Sequence, residues 1–249
     1  THGVLDADVS VTKSTLLVNK KSIQIFSEPN PKDIPWKNLN VDIVIESTGR
    51  FTQKEDAYSH IIAGAKKVII SAPSADAKTI VIGVNEEILD INDHVISNAS
   101  CTTNCLAPIA KIIDQYFNIE KGYITTTHAF TVDQRLQDSP HKDLRRARSA
   151  TNSIIPTKTG AATAVGKVLP KLNGKLDGIA LRVPVTCGSI VDFVCEVKNS
   201  TTAAEVNKVI RDYIINKDLS SIVSVCDDPI VSSDIIGTTE SAIVDSALT

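Results

Sequence analysis

The residues best equipped for covalent chemistry stand together in Ser97-Asn98-Ala99-Ser100-Cys101-Thr102-Thr103-Asn104-Cys105-Leu106-Ala107-Pro108. A thiolate attacks carbonyl carbon, and a thiol ionises near neutral pH when donors or positive charge surround it. Cys101 has such a setting, because hydroxyls and amides flank it on both sides, which a cysteine meant only to fill core would not need. The β-branched run His94-Val95-Ile96 leads into the stretch. After it Cys105, Leu106, Ile109, Ile112, Ile113, Tyr116 and Phe117 recur at helical spacing. The pattern predicts a strand that becomes a helix at Cys101. Ser100 then caps the helix, unpaired N–H groups point outward, and the macrodipole favours negative charge. Cys105 lies one turn further on and is expected to pack.

Of the five histidines, His2, His60, His94, His128 and His141, only His128 has the context of a base. It stands among threonines in the β-rich residues 123–131, with Thr131 three positions on. An imidazole beside a thiol stabilises the thiolate as an ion pair and can later accept a proton. Arg182 interrupts the otherwise apolar Ala180-Leu181-Arg182-Val183-Pro184. A guanidinium there needs a partner. A structural carboxylate would serve, and so would a phosphate gripped through bidentate hydrogen bonds. Thr159-Gly160 enters a helix, either as an ordinary cap or as an anion-binding start.

Two regions must position these groups. In residues 1–26, Val9-Ser10-Val11, Leu16-Leu17-Val18 and Ile23-Gln24-Ile25 read as a small antiparallel meander with polar turns such as Asn19-Lys20-Lys21. Pro29, Pro31 and Pro35 mark a loop before Val41-Asp42-Ile43-Val44-Ile45-Glu46, a strand apolar enough to be buried. Thr52 and Glu55 read as a capping box opening a helix that Gly64 closes, and the strand Lys67-Val68-Ile69-Ile70-Ser71 follows. This is a βαβ unit with parallel strands. Ile80-Val81-Ile82-Gly83-Val84 and His94-Val95-Ile96 are expected to supply the last strands of a doubly wound sheet. Ligands of such sheets lie beyond the carboxyl ends of the strands, where Ser47, Thr48, Gly49 and Arg50 fall, with Ser71 beside them. A plain turn explains Thr-Gly by itself equally well. After the cysteine helix come a strand near residues 176–185, an alternating strand from Val191 to Val197, a helix over 203–215 and a strand over 222–226. Together they make an α+β domain whose helices cover one sheet face. Residues 132–155 have no clean period and mix Lys142, Arg145, Arg146 and Arg148 with Asp133, Asp138 and Asp143.

Composition narrows the function classes. A net charge of −3 argues against a nucleic-acid or membrane-surface protein, and no apolar run approaches the ~18 residues needed to span a bilayer. No secretion leader is visible, and five cysteines, an odd number without framework spacing, suit a reducing compartment. Cys101 and Cys105 have no second pair or suitably spaced histidine to complete a zinc site, so no metal is expected.

Ser-x-x-Ser-Cys-Thr-Thr-Asn-Cys-Leu-Ala-Pro resembles the active-site segment of the phosphorylating glyceraldehyde-3-phosphate dehydrogenases. Glu-Ser-Thr-Gly-x-Phe at 46–51 resembles the family's cofactor loop, Thr-His-Ala-Phe-Thr at 127–131 its base-bearing segment, and Leu-Arg-Val-Pro at 181–184 its phosphate-binding arginine segment. Asp143-Leu144-Arg145-Arg146-Ala147-Arg148 is similar to the S-shaped loop at the centre of the family's tetramer. The resemblance implies an α/β fold, with a partial Rossmann-type sheet over 1–100 and an α+β catalytic domain with a mostly antiparallel sheet over 101–249. It implies oxidation of glyceraldehyde 3-phosphate, with phosphate and NAD, to 1,3-bisphosphoglycerate through a cysteine thioester. Cys101 is then the nucleophile and His128 the base. Thr131 and Arg182 would hold the substrate phosphate, and Ser100, Thr102, Thr159 and Gly160 the attacking phosphate. Ser47, Thr48, Gly49, Arg50 and Ser71 would bind the cofactor. Ser139 falls near where members distinguish the two cofactors, but with the first βα turn absent NADP stays open beside the favoured NAD. A cytoplasmic homotetramer is implied as well.

The chain holds no methionine and no Gly-x-Gly-x-x-Gly, so it is expected to be an internal fragment lacking the first βα units and the last strand and helix. Erythrose-4-phosphate dehydrogenase, a relative with the same thiol and base, is the nearest alternative activity. A non-enzymatic surface-binding role of the same fold is the alternative of another class.

Overall fold

The computed structural model describes residues 2–249. The chain forms two compact units, one of residues 2–78 and 90–97, the other of 79–89 and 98–249. The first unit opens with the antiparallel meander β1 (Val9–Val11), β2 (Thr15–Val18) and β3 (Lys21–Gln24). Asn19 and Lys20 turn the chain with φ 46° and 66°, the left-handed pair that suits the twist of a two-residue hairpin. Lys21 is therefore strand rather than turn, and Ile25 falls beyond β3.

The βαβ unit follows. It comprises β4 (Ile43–Glu46), α1 (Lys54–Ala57), α2 (Ser59–Ile62) and β5 (Lys67–Ile70), with the two-residue β6 (Lys78–Thr79) and then β7 (Val95–Ser97). β4, β5 and β7 run parallel, with Val44 opposite Val68 and Val68 opposite Val95. Val44, Ala57, Ala65, Val68, Ile70, Ala77 and Val95 form the core of this unit.

Three expectations fail here for physical reasons. β4 is not buried on both faces. Val44 and Glu46 face the core, whereas Ile43 and Ile45 are more than half exposed, the period-two alternation of a strand packed on one side. The Thr52–Glu55 capping box does not form. The N-cap of α1 is Gln53 with no side-chain bond, the Lys54 N–H goes to Asp76 Oδ1 at 2.9 Å, and the helix breaks at Tyr58. Gly64 does close α2, at φ +108°, where a Cβ would lie 2.5 Å from Lys37 Cβ. Finally, residues 80–84 are a turn. Ile80, Val81 and Val84 are buried, but the Val81 N–H is met by Asn85 Oδ1 at 2.8 Å, and Val81 and Val84 join the core of the second unit.

The second unit contains α3 (Cys101–Phe117), β8 (Ile119–Ala129), β9 (Ile155–Lys158), α4 (Ala161–Val168), β10 (Leu176–Val183), β11 (Ser189–Val197), α5 (Ala203–Asn216), β12 (Val223–Cys226) and β13 (Ala242–Asp245). Its main sheet has the order β11-β8-β10-β9. The outer ladders are antiparallel and the central β8–β10 ladder is parallel. β12 and β13 pair in parallel. β9 and β13 were not expected from sequence. The core gathers Leu106, Ile112 and Phe117 from α3, Ile124 from β8, Val165 from α4 and Ile210 from α5. Val191, Phe193, Cys195 and Val197 of β11 pack against it, while Tyr123, Ile190 and Val194 stand on the uncovered face, each about half exposed or more. No helix among the described residues is long and apolar enough to cross a membrane.

The central ladder is tight at Gly178, which pairs with Ile124 and where an added Cβ would lie 2.6 Å from the Ile124 carbonyl oxygen and closer still to its side chain. Gly178→Ala should destabilise the protein by about 1–3 kcal/mol, the usual range for overpacking. The shift is read as a lower urea midpoint at unchanged slope; an unmoved midpoint would mean that Ile124 yields freely.

Candidate active site

Between β7 and α3 the chain bends at Ala99, a buried non-glycine residue with φ 59°. Such a conformation is strained and needs surrounding contacts to hold it. Ser100 then caps α3. Its Oγ accepts the Thr103 N–H at 3.1 Å and lies 2.7 Å from Thr103 Oγ1, and the Asn104 amide donates to the carbonyls of Asn98 and Ser100. Cys101 is thereby the first residue of the helix, solvent-accessible at its positive end.

His128 lies one residue before the end of β8, and its Nε2 is 3.2 Å from Cys101 Sγ. The parallel register sets Arg182 of β10 directly opposite His128. Arg182 Nη1 donates to the Ala129 carbonyl at 3.0 Å and sits 2.5 Å from His128 Nδ1, which is itself 2.7 Å from the same carbonyl. Thiol, imidazole and guanidinium thus form one connected cluster.

The electrostatics separate two thiols a helical turn apart. The hydrogen bond from His128 brings the Cys101 thiol down to about 7. Burial opposes it, and the charge of His128 and the N–H and hydroxyl of Thr102 assist. Cys105 meets no such donor, and burial, with the nearby Cys101 charge, pushes it up to about 11. Burial lowers the Arg182 pKa from its ordinary value, and the Cys101 charge pulls it back up.

Other candidates frame the cluster. Thr131 follows β8, and its N–H donates to Gln134 Oε1 at 3.2 Å. Gly160 is the N-cap of α4, and Thr159 Oγ1 accepts the Ala161 N–H at 3.2 Å. Thr102 is buried beneath Cys101. Residues 132–155 are largely self-paired, since Arg146 meets Asp133 and Asp143, and Arg148 meets Asp138, while Arg146 also reaches Thr157 of β9. Sequence reasoning named Arg146 and Asp133 as charges of the loop but did not connect them with the site, whereas both charges act on Arg182. Thirteen residues apart in an aperiodic loop, they carried no signal. The Ala129 carbonyl was missed as well, because a backbone acceptor has no signature in residue type.

In the first unit, residues 47–50 follow the carboxyl end of β4, and Ser71 follows β5. Ser71 Oγ donates to Ser47 Oγ at 3.1 Å, so the two parallel strands bring their trailing loops together. Gly49 has φ +70° and nothing within 4 Å of where a Cβ would stand. Exposed hydroxyls and an open glycine at the carboxyl ends of adjacent parallel strands fit a dinucleotide.

Hydroxyls at the carboxyl ends of parallel strands in one unit, and a thiol beside an imidazole in the other, fit a nicotinamide-linked oxidoreductase. Residues 100–249 match the family described as glyceraldehyde 3-phosphate dehydrogenase, C-terminal domain, and residues 1–54 match its NAD binding domain. Over 249 residues the chain is 57% identical to glyceraldehyde-3-phosphate dehydrogenase 2 of Streptomyces avermitilis, covering 99% of this chain and 74% of the relative. It is 52% identical over 250 residues to the Geobacillus stearothermophilus enzyme, covering 100% and 74%, and 51% identical over 251 residues to a chloroplastic form from Zea mays, covering 100% and 62%. The chain belongs to the glyceraldehyde 3-phosphate dehydrogenase family. It is a glycolytic oxidoreductase that uses NAD, glyceraldehyde 3-phosphate and phosphate.

If His128 is what lowers the thiol, alkylation of Cys101 by iodoacetamide should rise with pH through a midpoint near 7. In His128→Asn the midpoint should move toward the ordinary cysteine value of about 8.5. A midpoint unmoved by that substitution would shift the cause to Thr102 and the helix terminus.

Proposed function

We propose that Cys101 and His128 carry the oxidation, and that the two groups of hydroxyls around them divide two phosphates. Cys101 Sγ adds as thiolate to the aldehyde carbon of glyceraldehyde 3-phosphate. The Cys101 N–H and the His128 imidazole hold the resulting oxyanion. The imidazolium gives that oxygen the proton it took from the thiol, and His128 takes it back as the carbon gives up its hydride, leaving a thioester on Cys101. Ser47, Thr48, Gly49, Arg50 and Ser71 would hold NAD, which would supply the hydride acceptor. Phosphate attacks the thioester, the C–S bond breaks, and the thiolate is restored as 1,3-bisphosphoglycerate leaves.

The observation that carries this reading is the 3.2 Å approach of His128 Nε2 to a thiol brought down to about 7. Thr131 and Arg182 take the substrate phosphate, since Arg182 offers further N–H groups beyond the one spent on Ala129. Ser100, Thr102, Thr159 and Gly160 take the attacking phosphate, at the starts of α3 and α4 where backbone N–H groups are unpaired.

The domain division at residues 1–100 and 101–249 is supported by the C-terminal family match beginning at residue 100. A homotetramer is supported by the uncovered sheet face with Tyr123, Ile190 and Val194, and by the exposed Val132, Leu136, Leu144 and Ile154 of the loop. A cytoplasmic site is supported by five free thiols, one of them reactive, which a reducing compartment preserves.

Cys101→Ser should abolish cofactor reduction, because a hydroxyl at this position ionises far less; near-normal turnover would remove Cys101 from the mechanism. His128→Asn should lower kcat about 10²–10⁴-fold, and a smaller loss would leave water as the proton acceptor. Arg182→Ala should raise KM for glyceraldehyde 3-phosphate while sparing KM for NAD; an effect confined to NAD would overturn its assignment.

A further inference from the structure

Away from the thiol, a buried polar cluster with every carboxylate oxygen hydrogen-bonded lies in the first unit. Glu46 ends β4 and His60 sits in α2, and they are only 3% and 4% exposed. A carboxylate so placed is costly unless its oxygens are met. Both are met here. Oε2 lies 2.9 Å from His60 Nε2, and Oε1 accepts the Thr48 N–H at 2.7 Å and the Thr48 hydroxyl at 2.5 Å. Burial works against the ionised form, but the Thr48 and His60 hydrogen bonds outweigh it and hold Glu46 below the ordinary carboxylate range.

The orientation of His60 is settled by its other neighbour. Trp36 Nε1–H can only donate, and it points at His60 Nδ1 from 3.0 Å. Nδ1 is therefore an acceptor, and Nε2 carries the hydrogen given to Glu46. The Phe51 ring meets the imidazole edge-on, with centroids 6.5 Å apart. Donation runs one way, from Trp36 through His60 to Glu46. Thr48 approaches the carboxylate from the other side, and its Oγ1 accepts the Arg50 N–H at 3.1 Å across Gly49. The backbone of residues 48–50 is thus shaped by one carboxylate.

Stability alone does not account for the cluster, since apolar residues of similar volume often serve as well as a buried ionic group. What a carboxylate adds is direction. We propose that Glu46, oriented by His60 and Trp36, is a positioning residue for NAD, holding residues 47–50 in the shape that receives the cofactor. The proposal rests on the reading that this loop touches NAD.

Glu46→Gln keeps size and removes one acceptor. Its N–H group must face either the Thr48 donors or the His60 Nε2–H, and Trp36 prevents the ring from exchanging tautomers. In the full enzyme KM for NAD should rise about tenfold, the scale of one lost charge-assisted hydrogen bond, with kcat and KM for glyceraldehyde 3-phosphate little changed. Trp36→Phe frees the ring to turn over, so the double variant should bind NAD better than the product of the single effects allows. A merely structural cluster would lower the melting temperature additively and spare the NAD constant, which overturns the proposal. Arg50→Ala tests the underlying reading separately, because Arg50 is exposed and joins the cluster through its backbone N–H, which the substitution keeps. If Arg50→Ala raises KM for NAD and Glu46→Gln does not, the loop reading stands and the proposal falls; if neither raises it, both fall. Should Glu46→Gln not fold, Thr48→Val must weaken NAD binding and Thr48→Ser restore it, or the proposal fails.

Discussion

A sulfur that is to be anionic at neutral pH needs a donor within hydrogen-bond reach, and here that donor is 27 residues away in sequence. Much of the second unit can be understood from how that distance is closed. α3 is 17 residues long and rises about 26 Å. Asn118, at φ 57°, reverses the chain. The ten residues from there to His128 span about 33 Å as strand, enough to return to the start of the helix. The parallel ladder then fixes what arrives with the histidine. Because β8 and β10 run the same way with Arg182 opposite His128, the guanidinium reaches the imidazole without any loop having to carry it. A cap at Ser100 and a strained bend at Ala99 set the cysteine at the helix terminus.

What the sequence made legible follows from the range of the forces involved. The Cys101 junction could be read because a cap, a helical period and a strand before them are all local. The antiparallel meander could be read for the same reason. The capping box at Thr52 and Glu55 failed because Asp76, 22 residues from Lys54, supplies the helix-end acceptor instead. The apolar run at residues 80–84 misled because a buried turn and a buried strand need the same side chains; only the Asn85 amide, standing in for a ladder partner, distinguishes them. β9 hides behind Pro156, a residue that suits only a sheet edge, and it lies at the edge. The alignment of Arg182 with His128 had no sequence signal, since parallel register depends on a crossover rather than a turn.

The two units answer a similar problem in similar terms. In each, an anionic group near the end of a strand or the start of a helix is met by an imidazole, Cys101 by His128 and Glu46 by His60. Both anions are opposed by burial and favoured by hydrogen bonds, and in both the bonds win. Cys105 shows the opposite result when the bonds are missing.

The difference lies at the far nitrogen of each ring. His60 Nδ1 faces an indole N–H, which can only donate, so one tautomer has a partner and the other does not. His128 Nδ1 faces a carbonyl that accepts and a guanidinium that donates, so either tautomer finds a partner. A ring with one satisfied state holds a neighbour still. A ring with two can take up a proton at Nε2 and give it back without losing its footing at Nδ1, as the acid–base work proposed for His128 requires. The sequence supplies the same residue type at both places, and the groups behind the ring decide which task it can perform.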